Sequence, residues 1–181
     1  MSEDLLERIS ELGTENRKLK QQIESLENRI LALSGTTIIE ASGEGDDKGL
    51  INNKIIEIIQ TTNDQLNIVS PIVDEFYLLE LQKAAQRGIP ILLITRDRYL
   101  LDKPLKKIYD KLKKTPGISL INNPNVTYLL VFNTELAIYS GGSLNQKELS
   151  RSILIITTIL EDVKIRKIAS IFNAMLPSFM R

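Results

Sequence analysis

Apolar positions along the chain follow two regimes. Between residues 3 and 34 they step alternately by four and three, through Leu5, Ile9, Leu12, Asn16, Leu19, Ile23, Leu26, Ile30 and Leu33. This is a heptad with Leu at every d position and Ile9, Asn16, Ile23 and Ile30 at a. β-Branched residues at a with Leu at d favour a parallel two-stranded coiled coil. In such a dimer the two Asn16 amides face each other and pair. In a slipped or antiparallel arrangement they are buried without partners, at about 1–3 kcal/mol. Glu15 at g and Lys20 at the next e carry opposite charge, which suits the parallel pairing, and Gly13 weakens the helix locally. The alternative is an amphipathic helix folded on its own domain. The apolar stripe is narrow, as in a seam between two helices.

From Leu50 the period alternates between that of helices and that of strands. Helical spacing covers 50–62, 73–87, 98–114 and 161–175. Strand-like apolar runs cover 66–70, 89–95, 118–121, 126–132, 135–139 and 152–158, with 89–95 read as buried on both faces and 152–158 as another buried strand. Asn133-Thr134 marks a hairpin turn between two of them. The reading is an α/β domain with a mixed sheet flanked by helices, preceded by a long N-terminal coiled-coil helix. Between the regimes, Gly35, Gly43, Gly45 and Gly49 with Asp46-Asp47 mark a connector. The expected domains are thus a parallel dimeric coil at 1–34, a flexible linker at 35–49 and an α/β domain at 50–181. Residues 36–39 within the linker have the composition of a short strand.

Charge sharpens this boundary. The 23 basic and 23 acidic residues cancel over the chain. Residues 1–49 hold 11 acids against 6 bases, and residues 50–181 hold 12 against 17. A uniformly basic nucleic-acid binder is therefore not expected. There is no Cys and no His, which removes disulfides, thiolate chemistry, the commonest general base and the commonest metal ligand. No cofactor and no metal are expected. No apolar run approaches 18 residues and no signal peptide is visible, so a cytoplasmic location is expected. The 26 Ile and absent Cys suggest an AT-rich genome and a thermophile.

Several stretches resemble one family. Asn67-Ile68-Val69-Ser70-Pro71, the helix end Ala84-Ala85-Gln86-Arg87-Gly88-Ile89 and the strand Ile91-Leu92-Leu93-Ile94-Thr95-Arg96 look like the first half of a phospholipase D-like domain. The later strand pair followed by Gly142-Ser143-Leu144-Asn145 is similar to that family's second conserved block. The family's His-x-Lys motif, followed by an Asp, falls on Val126, Tyr128 and Asn133. The resemblance therefore implies a degenerate member in which only Gly142, Ser143 and Asn145 persist. A phosphohistidine intermediate needs an imidazole, so the expectation is that the chain is not an enzyme. Family members often pair two such domains about a twofold axis, which implies a homodimer, as the heptads do. The arrangement is also similar to the effector-binding part of TrmB-like archaeal regulators, here without the winged helix. That resemblance implies a role in transcription regulation.

Two sets of residues are candidate sites. Ser70, Thr95, Arg96, Asn123, Asn125, Tyr128, Ser143, Asn145 and Arg151 fall near strand ends, where α/β domains bind ligands. They suit a small polar ligand such as a sugar or phosphate, and equally a set of turn formers and strand caps. Lys103, Lys106, Lys107, Lys111, Lys113 and Lys114 share one predicted helix with a single acid, Asp110. They suit a phosphate backbone or anionic lipid, and equally the solvated face of an amphipathic helix. Glu44, Asp46 and Asp47 lack metal-ligand spacing. The apolar C-terminus, Met175 to Met180, packs on the domain or docks a partner. The expected function is a regulatory or scaffold homodimer that senses a ligand or binds a protein. Nucleic-acid binding through the lysines is the alternative, and a phosphodiesterase or nuclease on repurposed residues such as Tyr128 or Ser143 the third reading.

Overall fold

The computed structural model describes residues 8, 12–13, 15–20, 22–23, 26, 37–42 and 48–178. The chain divides into two compact units, Met1–Thr36 and Thr37–Arg181. In the first, every described residue from Arg8 to Leu26 is helical. Leu12, Leu19, Ile23 and Leu26 are each more than half exposed there. Of the remaining heptad positions, Asn16 is described and exposed, while Leu5, Ile9, Ile30 and Leu33 lie outside the described residues.

The second unit is built on one seven-stranded mixed sheet. Its strands are β1 (Thr37–Ser42), β2 (Leu66–Val69), β3 (Ile91–Thr95), β4 (Ile118–Asn122), β5 (Leu129–Phe132), β6 (Ala137–Ser140) and β7 (Leu154–Ile159). Their spatial order is β1-β7-β6-β5-β2-β3-β4. β2, β3 and β4 are parallel, and every other neighbouring pair is antiparallel. The helices are α1 (Leu50–Thr61), α2 (Glu75–Gln86), α3 (Lys103–Lys114), α4 (Gln146–Arg151) and α5 (Asp162–Ala174).

Local signals set these elements. Asp74 caps α2 by accepting the Tyr77 N–H at 2.9 Å, and Asp102 caps α3 by accepting the Leu105 N–H at 3.0 Å. Pro104 in the first turn of α3 suits a helix start. The helix expected over 98–114 is therefore split into a 3-10 turn at Arg98–Leu100 and α3 proper. α2 ends at Gly88, whose φ of +85° only glycine adopts at little cost. Asn133 makes the β5–β6 turn: its side-chain carbonyl accepts the N–H groups of Glu135 and Leu136, at 2.9 and 2.8 Å.

Two apolar clusters sandwich the sheet. Ile51, Ile55, Ile58 and Ile59 of α1, Tyr77, Leu78 and Leu81 of α2, Leu112 of α3 and Leu149 of α4 pack with Leu66, Ile68, Leu93, Val131, Ile138 and Ile156. On the other side, Ile165 and Phe172 of α5 and Leu176 pack with Val69, Ile94, Leu130 and Phe132. Four helices cover one face and one covers the other.

Three further sequence expectations change. The linker expected over 35–49 gives up 37–42 to β1, a full edge strand paired with β7 from Thr37↔Ile159 to Ser42↔Leu154. The strand register, which no local pattern encodes, recruits it. α4 was not anticipated, because at six residues it is too short to show a period. β7, expected as a buried strand, is buried on one face only: Ile156 is fully buried while Ile155 is 66 % exposed.

Candidate functional site

The carboxyl ends of β2, β3, β4 and β6 and the start of β5 meet at one end of the sheet, where the first candidate set gathers. The Ser70 hydroxyl donates to the Ile72 carbonyl at 2.6 Å and accepts the Leu144 N–H at 2.9 Å. That ties the loop after β2 to the one after β6. Asp74 extends the tie by accepting the Gln146 N–H at 2.7 Å. Ser143 is buried and its hydroxyl donates to Glu148. Asn145 caps α4 by accepting the Glu148 N–H at 3.1 Å. Gly142 sits at φ +79°, and a Cβ there would lie 3.3 Å from both Glu148 and Leu149. The Gly-Ser-x-Asn block thus builds the turn into α4.

The other members use their polar atoms similarly. The Thr95 hydroxyl donates to the Pro71 carbonyl at 3.2 Å. Arg96 Nε donates to the Val126 carbonyl at 3.0 Å. Asn123 accepts the Asn125 N–H at 3.0 Å. Tyr128 points its contacts to the α5 side: its ring lies 5.7 Å from that of Tyr139, and its hydroxyl meets the Met175 sulfur at 3.6 Å. Burial and then the neighbouring Tyr139 raise its pKa above the ordinary tyrosine value. Arg151 is exposed at the end of α4. The structure brings Ser70, Ser143 and Asn145 into one bonded loop cluster. Tyr128 belongs to a separate aromatic contact. Among the described residues no His, Cys, Asp or Glu group is arranged to hold a metal ion, and no helix is long and apolar enough to cross a membrane.

Val126 is buried and Asn133 serves the hairpin turn while donating to the Thr62 hydroxyl at 3.1 Å. The strand expected from 126 begins only at Leu129, so Val126 and Tyr128 lie in the loop before β5 and Asn133 in the turn after it.

α3 presents its lysines as one face. Tyr109 and Leu112 are buried, and Ile108 packs on the core. The six lysines occupy roughly the opposite half of the circumference at about 3.6 residues per turn. Asp110 is taken by Arg98, whose guanidinium makes two bonds to it at 2.7 and 2.8 Å and holds its carboxyl below the usual range. Lys111 reaches Glu75 at 3.4 Å. No ion pair joins Lys103, Lys106, Lys107, Lys113 or Lys114 to an acid among the described residues. The net effect is a strip of positive charge.

One feature escaped the sequence reading. Ile39, Tyr139, Ile153 and Ile155 are large, apolar and exposed. Residues 153–156 are four consecutive apolar residues, so no alternation in the sequence marks which of them face outward.

No family model and no curated protein matches the chain. Its fold is phospholipase D-like. NucT from Helicobacter pylori matches with a TM-score of 0.64 at 12% identity, over 77% of this chain and 96% of that one. Nuc from Salmonella typhimurium, a phospholipase D family member, matches with a TM-score of 0.63 at 11% identity, over 77% and 92%. TrmBL2, an archaeal chromatin protein whose structure shows a novel mode of DNA binding, matches with a TM-score of 0.56 at 14% identity. That match covers 95% of this chain and 65% of TrmBL2, so the chain spans under two thirds of that protein's length.

These comparisons correct one expectation. The chain was read from sequence as not an enzyme, yet the NucT and Nuc structures that share its fold point to enzymes. The absent His-x-Lys motif bears only on the phosphohistidine route.

Proposed function

We propose that this chain is a homodimeric regulatory or scaffold protein, a relative of TrmB-like regulators. Its N-terminal helix joins two copies, and its phospholipase D-like unit senses a ligand or binds a protein. The observation that carries the reading is the reach of the TrmBL2 likeness. It extends over 95% of this chain, whereas the NucT and Nuc likenesses extend over 77%. The half-exposed Leu12, Leu19, Ile23 and Leu26 on a helical segment support it, since an apolar stripe on a helix asks for a partner. Asn16 sets the parallel register of that pairing.

The test is sedimentation velocity on the full chain at micromolar concentration, followed by a thermal-shift screen. The expected species is a dimer, which Leu19→Lys with Ile23→Lys converts to monomer. The screen holds sugars, nucleotides, phosphorylated metabolites and DNA duplexes at two salt concentrations. A ligand at 100 times its dissociation constant stabilises the fold by about 2.7 kcal/mol. A monomeric full chain overturns the reading. Turnover of a phosphodiester reporter, followed in the same preparations and in Ser143→Ala and Tyr128→Phe, measures any catalysis by the unit.

A second reading has its own support. The lysine strip on α3 and the DNA binding of TrmBL2 favour contact with a nucleic-acid backbone. Each phosphate neutralised contributes about −0.9 to the slope of log affinity against log salt. Lys107→Ala with Lys114→Ala is therefore expected to flatten that slope by about 2. An unchanged slope removes the strip from any DNA contact.

A further inference from the structure

Strand register collects the exposed apolar residues on one face. Ile39 and Tyr139 are both opposite Thr157, and Ala41 is opposite Ile155. Opposed residues share a face, and alternation along β7 puts Ile155 and Thr157 on the same one. Tyr139 is opposite Leu130, which belongs to the α5-side cluster. The face is thus the α5 side of β1, β7 and β6, beyond the reach of α5. Ile39 is 70 % exposed, Ile155 66 %, Tyr139 47 %, and Ile153 just before β7 72 %. The floor so formed holds no charged side chain. α5 forms its wall: Lys164 reaches Thr37 at 2.9 Å, so this flank of the helix looks toward β1. Ile168, Ile171 and Met175 follow Lys164 along that flank at helical spacing. Ile171 is more than half exposed. The result is an apolar step, with the sheet as tread and α5 as riser. Patches of this kind on a globular unit mark interaction sites.

We propose that a second copy of this chain docks on this face, so that the two phospholipase D-like units pack about a twofold axis through their β1–β7–β6 surfaces. The inference rests on the homodimer reading above and adds the surface used. Chain continuity argues for a second copy over any other occupant. The expected coil ends at residue 34, three residues before Thr37, the first residue of β1, and β1 carries Ile39 and Ala41 of the face. Helices of a parallel coil lie about 8–10 Å apart. Three extended residues add at most about 11 Å on each side. The two β1 strands therefore start within roughly 30 Å of each other. A tether this short gives an effective concentration in the millimolar range. A contact too weak to hold free units together is then populated. A twofold contact uses the same patch twice, and its uncharged sheet floor meets its own copy without like-charge repulsion.

The absence of cysteine makes the test direct. I153C places a single thiol on the face, and K107C places one on the lysine strip of α3. Both are made in the full chain, with sedimentation velocity run on each. The expected result is a dimer in which I153C cross-links through a short bis-maleimide at least tenfold faster than K107C. A spin label on I153C is immobilised in the same dimer. Adding Ile155→Lys and Tyr139→Lys to I153C abolishes the cross-link and frees the label, while the species remains dimeric through the coil. A dimer whose I153C label is mobile and whose cross-linking equals that of K107C overturns the surface assignment, leaving the face to another occupant and the homodimer intact. A monomer overturns the homodimer reading, and the assignment with it.

Discussion

The two faces of the sheet are made by the same strands and covered unequally. On the side of α1 to α4, inward side chains such as Ile55, Leu66, Ile68, Leu93 and Val131 are fully buried. On the α5 side only the middle of the sheet is closed, by Ile165, Phe172 and Leu176, and the strands at the β1 end carry exposed isoleucines. The closed face also holds a buried polar junction. Asn52 of α1 donates to the Gln146 carbonyl at 3.1 Å and the Ser150 hydroxyl at 2.7 Å, and accepts the Tyr77 hydroxyl at 2.5 Å. Burial, then the charge of Asp74, pushes the Tyr77 hydroxyl far above its ordinary pKa, so it stays a donor. The closed face is where the fold's stability resides. The open face has room to meet something else.

Substitutions separate the two. The largest loss is expected for Ile55→Ala, which empties a fully buried site between α1 and the sheet. Denaturant unfolding should show a cost of about 2–5 kcal/mol. Tyr77→Phe keeps the ring and strands the Asn52 carbonyl, for about 1–3 kcal/mol by the same measurement. Glu80 is buried on α2 and bonded to Lys83 at 2.6 Å and Gln60 at 3.3 Å. The Lys83 bond, ahead of the opposing effect of burial, lowers its pKa below the ordinary carboxylate value. A carboxylate depressed in the folded state stabilises it at pH above the unfolded value of about 4.3 and loses that contribution as pH falls through the folded value. Glu80→Gln should therefore flatten the acid limb of a stability–pH curve and leave the curve's shape near neutrality unchanged. The smallest effect belongs to the open face. Ile155→Ser should change unfolding free energy by no more than about 0.5 kcal/mol at the lowest usable protein concentration, where association contributes least. A loss there as large as that of Ile55→Ala would mean that the face is part of the unit's own core.

Much of the fold was legible along the chain. The helices α1, α2 and α5 and the strands β2, β3, β4 and β6 stand close to where the periodicity put them, while α3 and β5 start later than expected, at Lys103 and Leu129. The capping Asp74 and Asp102 and the turn-forming Asn133 act within three residues of themselves, so local sequence reveals them. α4 was hidden by its shortness, and β1 by its dependence on a partner strand far along the chain. In the candidate site, Ser70, Asn123, Ser143 and Asn145 were readable both as ligand groups and as turn formers. Only their hydrogen bonds show that these atoms hold the loops together. The lysine face of α3 was legible because helical spacing alone separates it from Tyr109 and Leu112.

The sequence by itself determined the order of the helices and strands other than β1 and α4, the heptad pattern with its single Asn16, the clustering of lysines on one helix and the absence of imidazole and thiol. These are properties of composition and of spacing within one element. Tertiary structure decided that residues 37–42 complete the sheet, that β7 lies between β1 and β6, and that Ile39, Tyr139 and Ile155 share one uncovered face. Strand side chains alternate, so a shift of one residue in register would exchange the buried and exposed sets. That choice is made by pairing between Ala41 and Ile155, or Tyr139 and Thr157, and no stretch of sequence contains both partners' surroundings.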